Sequence, residues 1–324
     1  MLKYATIGTS FITEQFVTGA NATGRVTLAA VYSRKLETGT VFAQKFGCDK
    51  VYTSLQALAE DSEIDAVYVA SPNVFHAEQS EILLKAGKHI ICEKPITTSA
   101  AEYGRLKALA DKNGLIYIEA IIPIYNPSRN RIKKAIGKIG NIAMAKIDYC
   151  QRSSRYDRFM QGENVNIFDM SLHAGTVMDL GVYCVYAAVD LFGMPSGIEA
   201  TANFLSNGAD GSGAAIFKYD NFSASLTYSK TGQSVAPTEI VGDSGSVIME
   251  KAVYYQDAYL VKGGEKTSLF DDVSKETLMG YEATAFCDFI EGKRLDEYIN
   301  NSEIGLLVHR CMDVIKQRAN IIYK

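Results

Sequence analysis

Lys88-His-Ile-Ile-Cys-Glu-Lys-Pro-Ile96 reads as a short strand that stops abruptly. His89 to Cys92 is apolar and β-compatible, and Gly87 closes a helical pattern just before it. Pro95 lacks an N–H and cannot continue a ladder, so Glu93 and Lys94 fall where the strand ends. In an open parallel sheet, ligands bind outside the carboxyl ends of the strands. A carboxylate and an ammonium placed there are candidates for chemistry, although the same pair is ordinary on a solvated strand end.

Working outward, the strand is one of a series. Tyr4 to Ile7 is an apolar strand, followed by Gly8-Thr-Ser-Phe-Ile-Thr13 and a helix to about Thr23. This is the place for a dinucleotide fingerprint, in which a glycine turn and a helix N-terminus face a pyrophosphate. Gly8 fills the first position, while Ser10 and Thr13 replace the later glycines. Ser10 can offer its hydroxyl and N–H to phosphate, and Phe11 and Ile12 at the helix start are grouped with it as cofactor-binding. Val26 to Tyr32 is the second strand and ends in Ser33-Arg34-Lys35. An acid here would bind the ribose 2′-hydroxyl of NAD. A hydroxyl and two cations suit a 2′-phosphate instead, so NADP(H) is favoured over NAD(H). A helix (Glu37 to Phe46), a short strand (Lys50 to Tyr52) and a short helix (Ser54 to Ala59) come next. Asp65 to Ser71 is a buried strand leading to Pro72-Asn73, and His76 opens a helix to Ala86. Ser71, Asn73 and His76 stand at a third strand end, although His76 reads equally as an ordinary helix-start residue. Ser99-Ala-Ala-Glu102 is a capping box, and Leu115 to Ala120 is one more buried strand. Strands alternating with helices over this length specify a doubly wound parallel sheet.

The later half changes pattern. After Pro123 and Pro127, a helix (Ser128 to Ala135) precedes runs of period-two alternation. Ile142 to Cys150 and Glu199 to Phe204 alternate. The cleanest is Phe222 to Ser229, with Phe222, Ala224, Leu226 and Tyr228 on one face. Gly-rich turns at Asn207–Gly213, Gly242–Gly245 and Gly263-Gly264 separate them. This predicts a large, mainly antiparallel sheet flanked by helices, with one covered face. A partner subunit is the simplest shield for the other face, so a homodimer or homotetramer is expected. Ahead of that sheet the stretch from Gly175 is helical, with Asp179 and Tyr183 four apart on one face. The last helix carries the apolar stripe Ile304, Leu307, Val308, Cys311, Met312 and Ile315.

At 324 residues the chain exceeds one ordinary core. Two domains are expected, a dinucleotide-binding domain over 1–122 and a substrate domain over 123–324 whose last helix can return to the first. A hydrophobic content of 47% supports a full interior. The net charge of −4, with no basic run, argues against nucleic acid and anionic membrane as partners. The longest apolar tract, Leu115 to Tyr125, is interrupted by Glu119 and Pro123 and falls short of the ~20 residues of a span. No signal-peptide pattern opens the sequence. Cys48, Cys92, Cys150, Cys184, Cys287 and Cys311 lack metal-type spacing and suit buried thiols in a reducing cytoplasm. The histidines are unclustered, so no metal site is expected.

Taken together, Gly8, Ser71-Pro72-Asn73 with His76, Gly87-Lys88-His89 leading to Glu93-Lys94-Pro95, and Asp179-Leu-Gly-Val-Tyr183 resemble the glucose–fructose oxidoreductase, inositol dehydrogenase and rhizopine-catabolism (Gfo/Idh/MocA) family. The resemblance covers essentially the whole chain. It implies that Lys94 contacts nicotinamide and substrate, that Glu93 helps hold the nicotinamide ribose, and that Asp179 contacts substrate. Many members carry a histidine where this chain has Tyr183, which is similar to the glucose–fructose oxidoreductase and dihydrodiol dehydrogenase branch. Other departures are Ser10, Thr13 and Ala174, where glycines often stand. The expected activity is NAD(P)-dependent hydride transfer at a secondary alcohol or carbonyl of a sugar, polyol or dihydrodiol-like molecule. Lys94, Tyr183 and Asp179 are the candidate catalytic residues. Tyr183 would exchange the hydroxyl proton. Its ordinary pKa is about 10, which an adjacent ammonium would lower. Asp179 would orient Lys94 or bind a substrate hydroxyl. Arg152, Arg155 and Tyr156 lie in a polar loop that either lines the pocket or is solvated. The alternative function is a ligand-sensing regulator that keeps the fold and the dinucleotide without turnover.

Overall fold

Strands β1 (Leu2–Ile7), β2 (Val26–Tyr32), β3 (Val51–Tyr52), β4 (Ala66–Val69), β5 (His89–Glu93) and β6 (Tyr117–Ala120) form a parallel sheet in the order β3-β2-β1-β4-β5-β6. Helices α1 (Phe11–Ala22), α2 (Leu36–Lys45), α3 (Leu55–Glu60), α4 (Asn73–Lys85) and α5 (Ala100–Lys112) make the connections. The computed structural model describes residues 1–323. Strand order reverses between β1 and β4, which opens a crevice at their carboxyl ends. β4 and β6 are buried throughout and β5 is buried at Ile90–Cys92, as apolar runs in a doubly covered parallel sheet should be. The α5 cap forms: Ser99 Oγ accepts from Glu102 N at 3.3 Å. The Glu102 carboxylate reaches back one residue further than a capping box requires, accepting from Thr98 N and Thr98 Oγ1. α4 starts at Asn73 rather than at His76, because Pro72 serves as its N-cap in extended conformation.

Past β6 come α6 (Ile122–Tyr125), α7 (Ser128–Ile136), β7 (Ile142–Cys150) and α8 (Tyr156–Met160). A π-helical turn over Val177–Gly181 then runs into α9 (Val182–Phe192). β8 (Gly197–Phe204), β9 (Asp210–Lys218), β10 (Ser223–Ser229), β11 (Thr238–Gly242), β12 (Gly245–Lys251), β13 (Gln256–Lys262) and β14 (Glu265–Ser268) complete an eight-stranded sheet. Its order is β14-β13-β12-β11-β7-β10-β9-β8, antiparallel except for the β7–β10 pair. Helices α10 (Lys275–Ile290) and α11 (Leu295–Arg318) close the chain. On β10, Ala224, Leu226 and Tyr228 are buried, as the alternation requires. The glycine cluster at 207–213 is only partly a turn. β9 begins at Asp210, so Gly211 and Gly213 lie in the strand, and a Cβ on Gly213 would come within 2.5 Å of the Tyr228 ring.

The two compact units are Met1–Tyr125 with Val273–Ser302, and Asn126–Asp272 with the chain from Glu303 onward. The first unit thus takes back α10 and the opening turns of α11, whereas the sequence pointed to the last helix alone. α10 packs on α1, where a Cβ on Gly19 would lie 2.1 Å from the Glu276 carbonyl oxygen. Arg25 also pairs with Asp288 at 2.5 Å and Glu291 at 2.8 Å. One helical stretch, Met170–Phe192, is long and apolar enough to cross a membrane, but 78% of its most apolar window is buried inside the protein, as befits a core helix.

The second unit is pinned by an ionic cluster around Asp190, whose side chain is fully buried. Its carboxylate accepts from Arg129 Nη2 at 2.6 Å, Lys133 Nζ at 2.7 Å and the Tyr255 hydroxyl at 3.0 Å. Removing the anion strands a buried guanidinium. Asp190→Ala is therefore expected to cost about 3–5 kcal/mol of unfolding free energy, measured as a lower urea midpoint. A loss of about 1 kcal/mol or less, the range of a surface pair, would contradict this.

Candidate active site

The carboxyl edge of the parallel sheet gathers the first set of expected residues. Gly8 follows β1 with φ +109, and a Cβ there would sit 2.6 Å from the Ala70 carbonyl oxygen after β4. Only glycine is accommodated at that position. Ser10 is exposed at the N-cap of α1, its hydroxyl 3.2 Å from that of the fully buried Thr13. Thr13 thus points inward and leaves the turn to Gly8 and the helix N-terminus. Phe11 is exposed and Ile12 half-buried beside it. After β2, Ser33 Oγ accepts from Lys35 N at 3.3 Å, and Arg34 is exposed. A glycine cradle, an open helix N-terminus and an exposed guanidinium at the next strand end fit a dinucleotide bearing anionic groups.

Two expected residues face inward rather than toward a ligand. His76 is 1% exposed, with Nδ1 2.8 Å from the Pro95 carbonyl oxygen and Nε2 2.7 Å from that of Ser71. Burial holds its pKa below the usual histidine range. The neutral ring donates to one of these two carbonyls and abuts the other, so His76 is packed between the β4 and β5 strand ends rather than open to a ligand. The Ser71 hydroxyl is likewise turned onto Gln79 Oε1 at 2.7 Å, leaving its backbone at the edge. Asn73 is half-buried in the first turn of α4.

The Glu93–Lys94 turn is held from behind. Its Lys94–Pro95 peptide is cis. His76 Nδ1 abuts the Pro95 carbonyl, and the buried Glu119 accepts from Ile96 N at 2.9 Å. Glu119, which looked like an interruption of an apolar strand, is the residue that anchors the exit of this turn. Tyr68 donates to Glu93 and stacks on Phe16 with ring centroids 3.8 Å apart. Burial pushes the Glu93 carboxyl up, against the Tyr68 hydrogen bond and the charges of Lys94 and Lys275. Lys275, at the start of α10, is pushed down by burial, and the fully buried Glu282 is pushed well up, by burial first and then by Glu93. Sequence reading missed Lys275 and Glu282, since nothing local distinguishes them from the surface charges of an amphipathic helix.

The second unit carries the other set. From Gly175 to Asp190 every residue is buried except Asp179 and Tyr183, so both open onto the same face. The expected plain α-helix is instead π-helical over Val177–Gly181, a widened turn of the kind frequent at functional sites. Asp210 fixes its start: Oδ2 accepts from Val177 N at 2.6 Å, and the Thr176 hydroxyl reaches the Asp210 and Gly211 carbonyls. Burial pushes the Asp210 carboxyl up to about 6. Asp179 Oδ2 lies 2.7 Å from Lys230 Nζ. The Tyr183 ring packs edge-on against Tyr149, with centroids 5.7 Å apart. Arg152 pairs with Asp157 at 2.5 Å, both are exposed, and Arg155 is exposed as well. The two arginines are solvated, whereas Tyr156 is half-buried with its ring 6.1 Å from that of Phe168. Lys230 was missed, although the β10 alternation of 222, 224, 226 and 228, carried one step further, places residue 230 on the inward face.

Residues 2–121 match the family model described as an oxidoreductase family with an NAD-binding Rossmann fold, and residues 131–248 match the GFO/IDH/MocA C-terminal domain. The chain is 36% identical over 330 residues to scyllo-inositol 2-dehydrogenase (NADP(+)) IolU of Bacillus subtilis (strain 168), covering 100% of this chain and 98% of the relative. It is 26% identical over 272 residues to trans-1,2-dihydrobenzene-1,2-diol dehydrogenase of Mus musculus, covering 82% and 79%. A solved levoglucosan dehydrogenase, in complex with NADH and levoglucosan, superposes with a TM-score of 0.86 over 98% of this chain and 97% of that one. At 18% identity that likeness speaks to the fold alone. The chain belongs to the GFO/IDH/MocA oxidoreductase family and is an NAD(P)-dependent oxidoreductase that acts on CH–OH groups.

Proposed function

We propose that this chain interconverts a secondary alcohol and its ketone on a neutral polyol, sugar or dihydrodiol, using NADP(H) in preference to NAD(H). The observation that carries the reading is the placement of Lys94 at the carboxyl end of β5, on the sheet edge that also presents Gly8 and Ser33–Arg34. The relatives' names support the substrate class: one acts on scyllo-inositol with NADP(+), the other on a dihydrobenzenediol.

The nicotinamide, when bound, supplies or accepts the hydride. Gly8, Ser10, Phe11 and Ile12 would hold the pyrophosphate at the α1 N-terminus, and Ser33 and Arg34 a 2′-phosphate. Ser71 and Asn73 would contribute from the β4 edge and Glu93 at the nicotinamide ribose. Lys94 offers its ammonium to the substrate oxygen as negative charge develops there. Tyr183 exchanges the hydroxyl proton as general acid or base. Asp179, whose counter-charge comes from Lys230, accepts a hydrogen bond from a substrate hydroxyl.

Titration of NADPH and NADH by nicotinamide fluorescence tests the cofactor preference, since the chain has no tryptophan to interfere. Arg34→Ala is expected to weaken NADPH about 10- to 100-fold, the worth of a charge-assisted contact, and to leave NADH unchanged. Equal weakening of both would remove the 2′-phosphate role from Arg34. NADPH binding with no oxidation of any polyol offered would favour the regulator.

The same reading includes a cytoplasmic homo-oligomer. Six free cysteines, five of them buried, favour a reducing compartment. Met144 and Ile216 are exposed on the outward side of β7 and β9, which favours a second copy there.

A further inference from the structure

We propose that Lys230 is a positioning residue for hydride transfer: its buried ammonium fixes the carboxylate of Asp179 and, through it, the substrate hydroxyl. The inference rests on the role given above to Asp179 and identifies the group that enforces it.

The pair is asymmetric. Lys230 Nζ lies 2.7 Å from Asp179 Oδ2, with side-chain exposures of 4% for the lysine and 40% for the aspartate. The cation is inside and the anion looks outward. Lys230 is set before the carboxylate reaches it. Its N–H donates to the Gly211 carbonyl at 3.0 Å, and its carbonyl accepts from Ser153 N at 2.8 Å. Its ammonium donates to the Ile167 carbonyl at 3.1 Å and sits 5.6 Å from the centre of the Phe168 ring. The β10 register, continued past Ser229, turns this side chain toward the interior, where an ammonium is costly unless an anion and further hydrogen bonds meet it.

The π-helical turn itself is anchored without Asp179. The start of the π-helical turn is capped by Asp210 through Val177 N, and Asp210 is itself fully buried. That buried carboxylate is also within electrostatic reach of Lys230. Asp179 is instead half-exposed, next to Tyr183 on the one open face of an otherwise buried helix. With Oδ2 held from inside, the carboxylate has a fixed direction and stays an acceptor, which orients a neutral hydroxyl and disfavours an anionic group at the same position.

The test is a double-mutant cycle in the full-length chain, using Lys230→Met, Asp179→Asn and the pair. The probe reaction is NADP+-dependent oxidation of scyllo-inositol. Lys230→Met is expected to lower kcat/KM about 10- to 100-fold, largely by raising KM. In the Asp179→Asn background the same change should cost less than about threefold. NADPH affinity should be unchanged throughout. Equal losses in both backgrounds would overturn the proposal, because a merely structural lysine adds independently. The same cycle read by thermal unfolding needs no substrate: Lys230→Met should lower the midpoint less when Asp179 is already Asn. Additive midpoints would overturn the pair. If the wild type binds NADPH yet oxidises neither scyllo-inositol nor a dihydrobenzenediol, the hydride-transfer reading fails and the positioning role fails with it. The unfolding cycle then reports on the ion pair alone, so the two failures are told apart.

Discussion

Lys94→Ala lowers kcat about 10²- to 10³-fold, the cost of deleting one preorganised group that stabilises a developing oxyanion. The turn that presents Lys94 has anchors besides its side chain. Glu119 holds Ile96 N and His76 packs against the Pro95 carbonyl, so the variant is expected to keep the strand end in place. Dinucleotide affinity is expected to survive, because Gly8 and Arg34 stand on other strand ends of the same sheet. Beyond the missing ammonium, the change falls on Glu93: burial already raises its carboxyl, and losing the Lys94 charge raises it further. Steady-state turnover together with NADPH fluorescence decides the matter. A variant that binds NADPH normally and turns over within about twofold of wild type has lost none of the 3 kcal/mol or so at stake, and the electrostatic role would be withdrawn.

Tyr183→Phe removes the hydroxyl and keeps the ring. The ring keeps its edge-on contact with Tyr149, and the backbone of α9 is unaffected. The expected loss in kcat is about 10²- to 10⁴-fold, the usual contribution of a positioned general acid or base. Folding is checked by an unchanged unfolding midpoint. A near wild-type rate would move the proton-exchanging role to Lys94, and a large loss confined to KM would mean that Tyr183 binds substrate without exchanging its proton.

The parallel sheet was legible because strands such as β4, β5 and β6 are apolar runs bounded by turn residues, with Pro95 the clearest. The site on its edge was legible for the same reason: a strand that stops at Glu93 displays Lys94 at its open end. Local pattern could not show direction. His76 stood at the right strand end, but α4 starts at Pro72–Asn73, and the resulting helical phase turns the imidazole inward onto two carbonyls. Glu119 broke an apolar strand for a partner, Ile96, on the neighbouring β5 segment. Lys275 and Glu282 join Glu93 only because α10 returns to the first unit across more than a hundred residues of intervening chain. The π-helical turn has no residue-type signature, since Val-Met-Asp-Leu-Gly is equally compatible with an α-helix. Lys230 was legible in principle. The alternation of β10 reaches it one step beyond Tyr228, and a lysine on an inward face calls for a named counter-charge.

Hydride transfer is tested most directly by tracing the hydride itself. Scyllo-inositol deuterated at its carbinol carbons is incubated with NADP+ and the wild-type chain, and the nicotinamide product is read by NMR. Deuterium at C4 of the reduced ring, absent with Lys94→Ala, is the predicted result. Saturable NADPH binding with no deuterium transferred, from this polyol or from a labelled dihydrobenzenediol, would contradict hydride transfer to this substrate class and leave a dinucleotide-binding sensor.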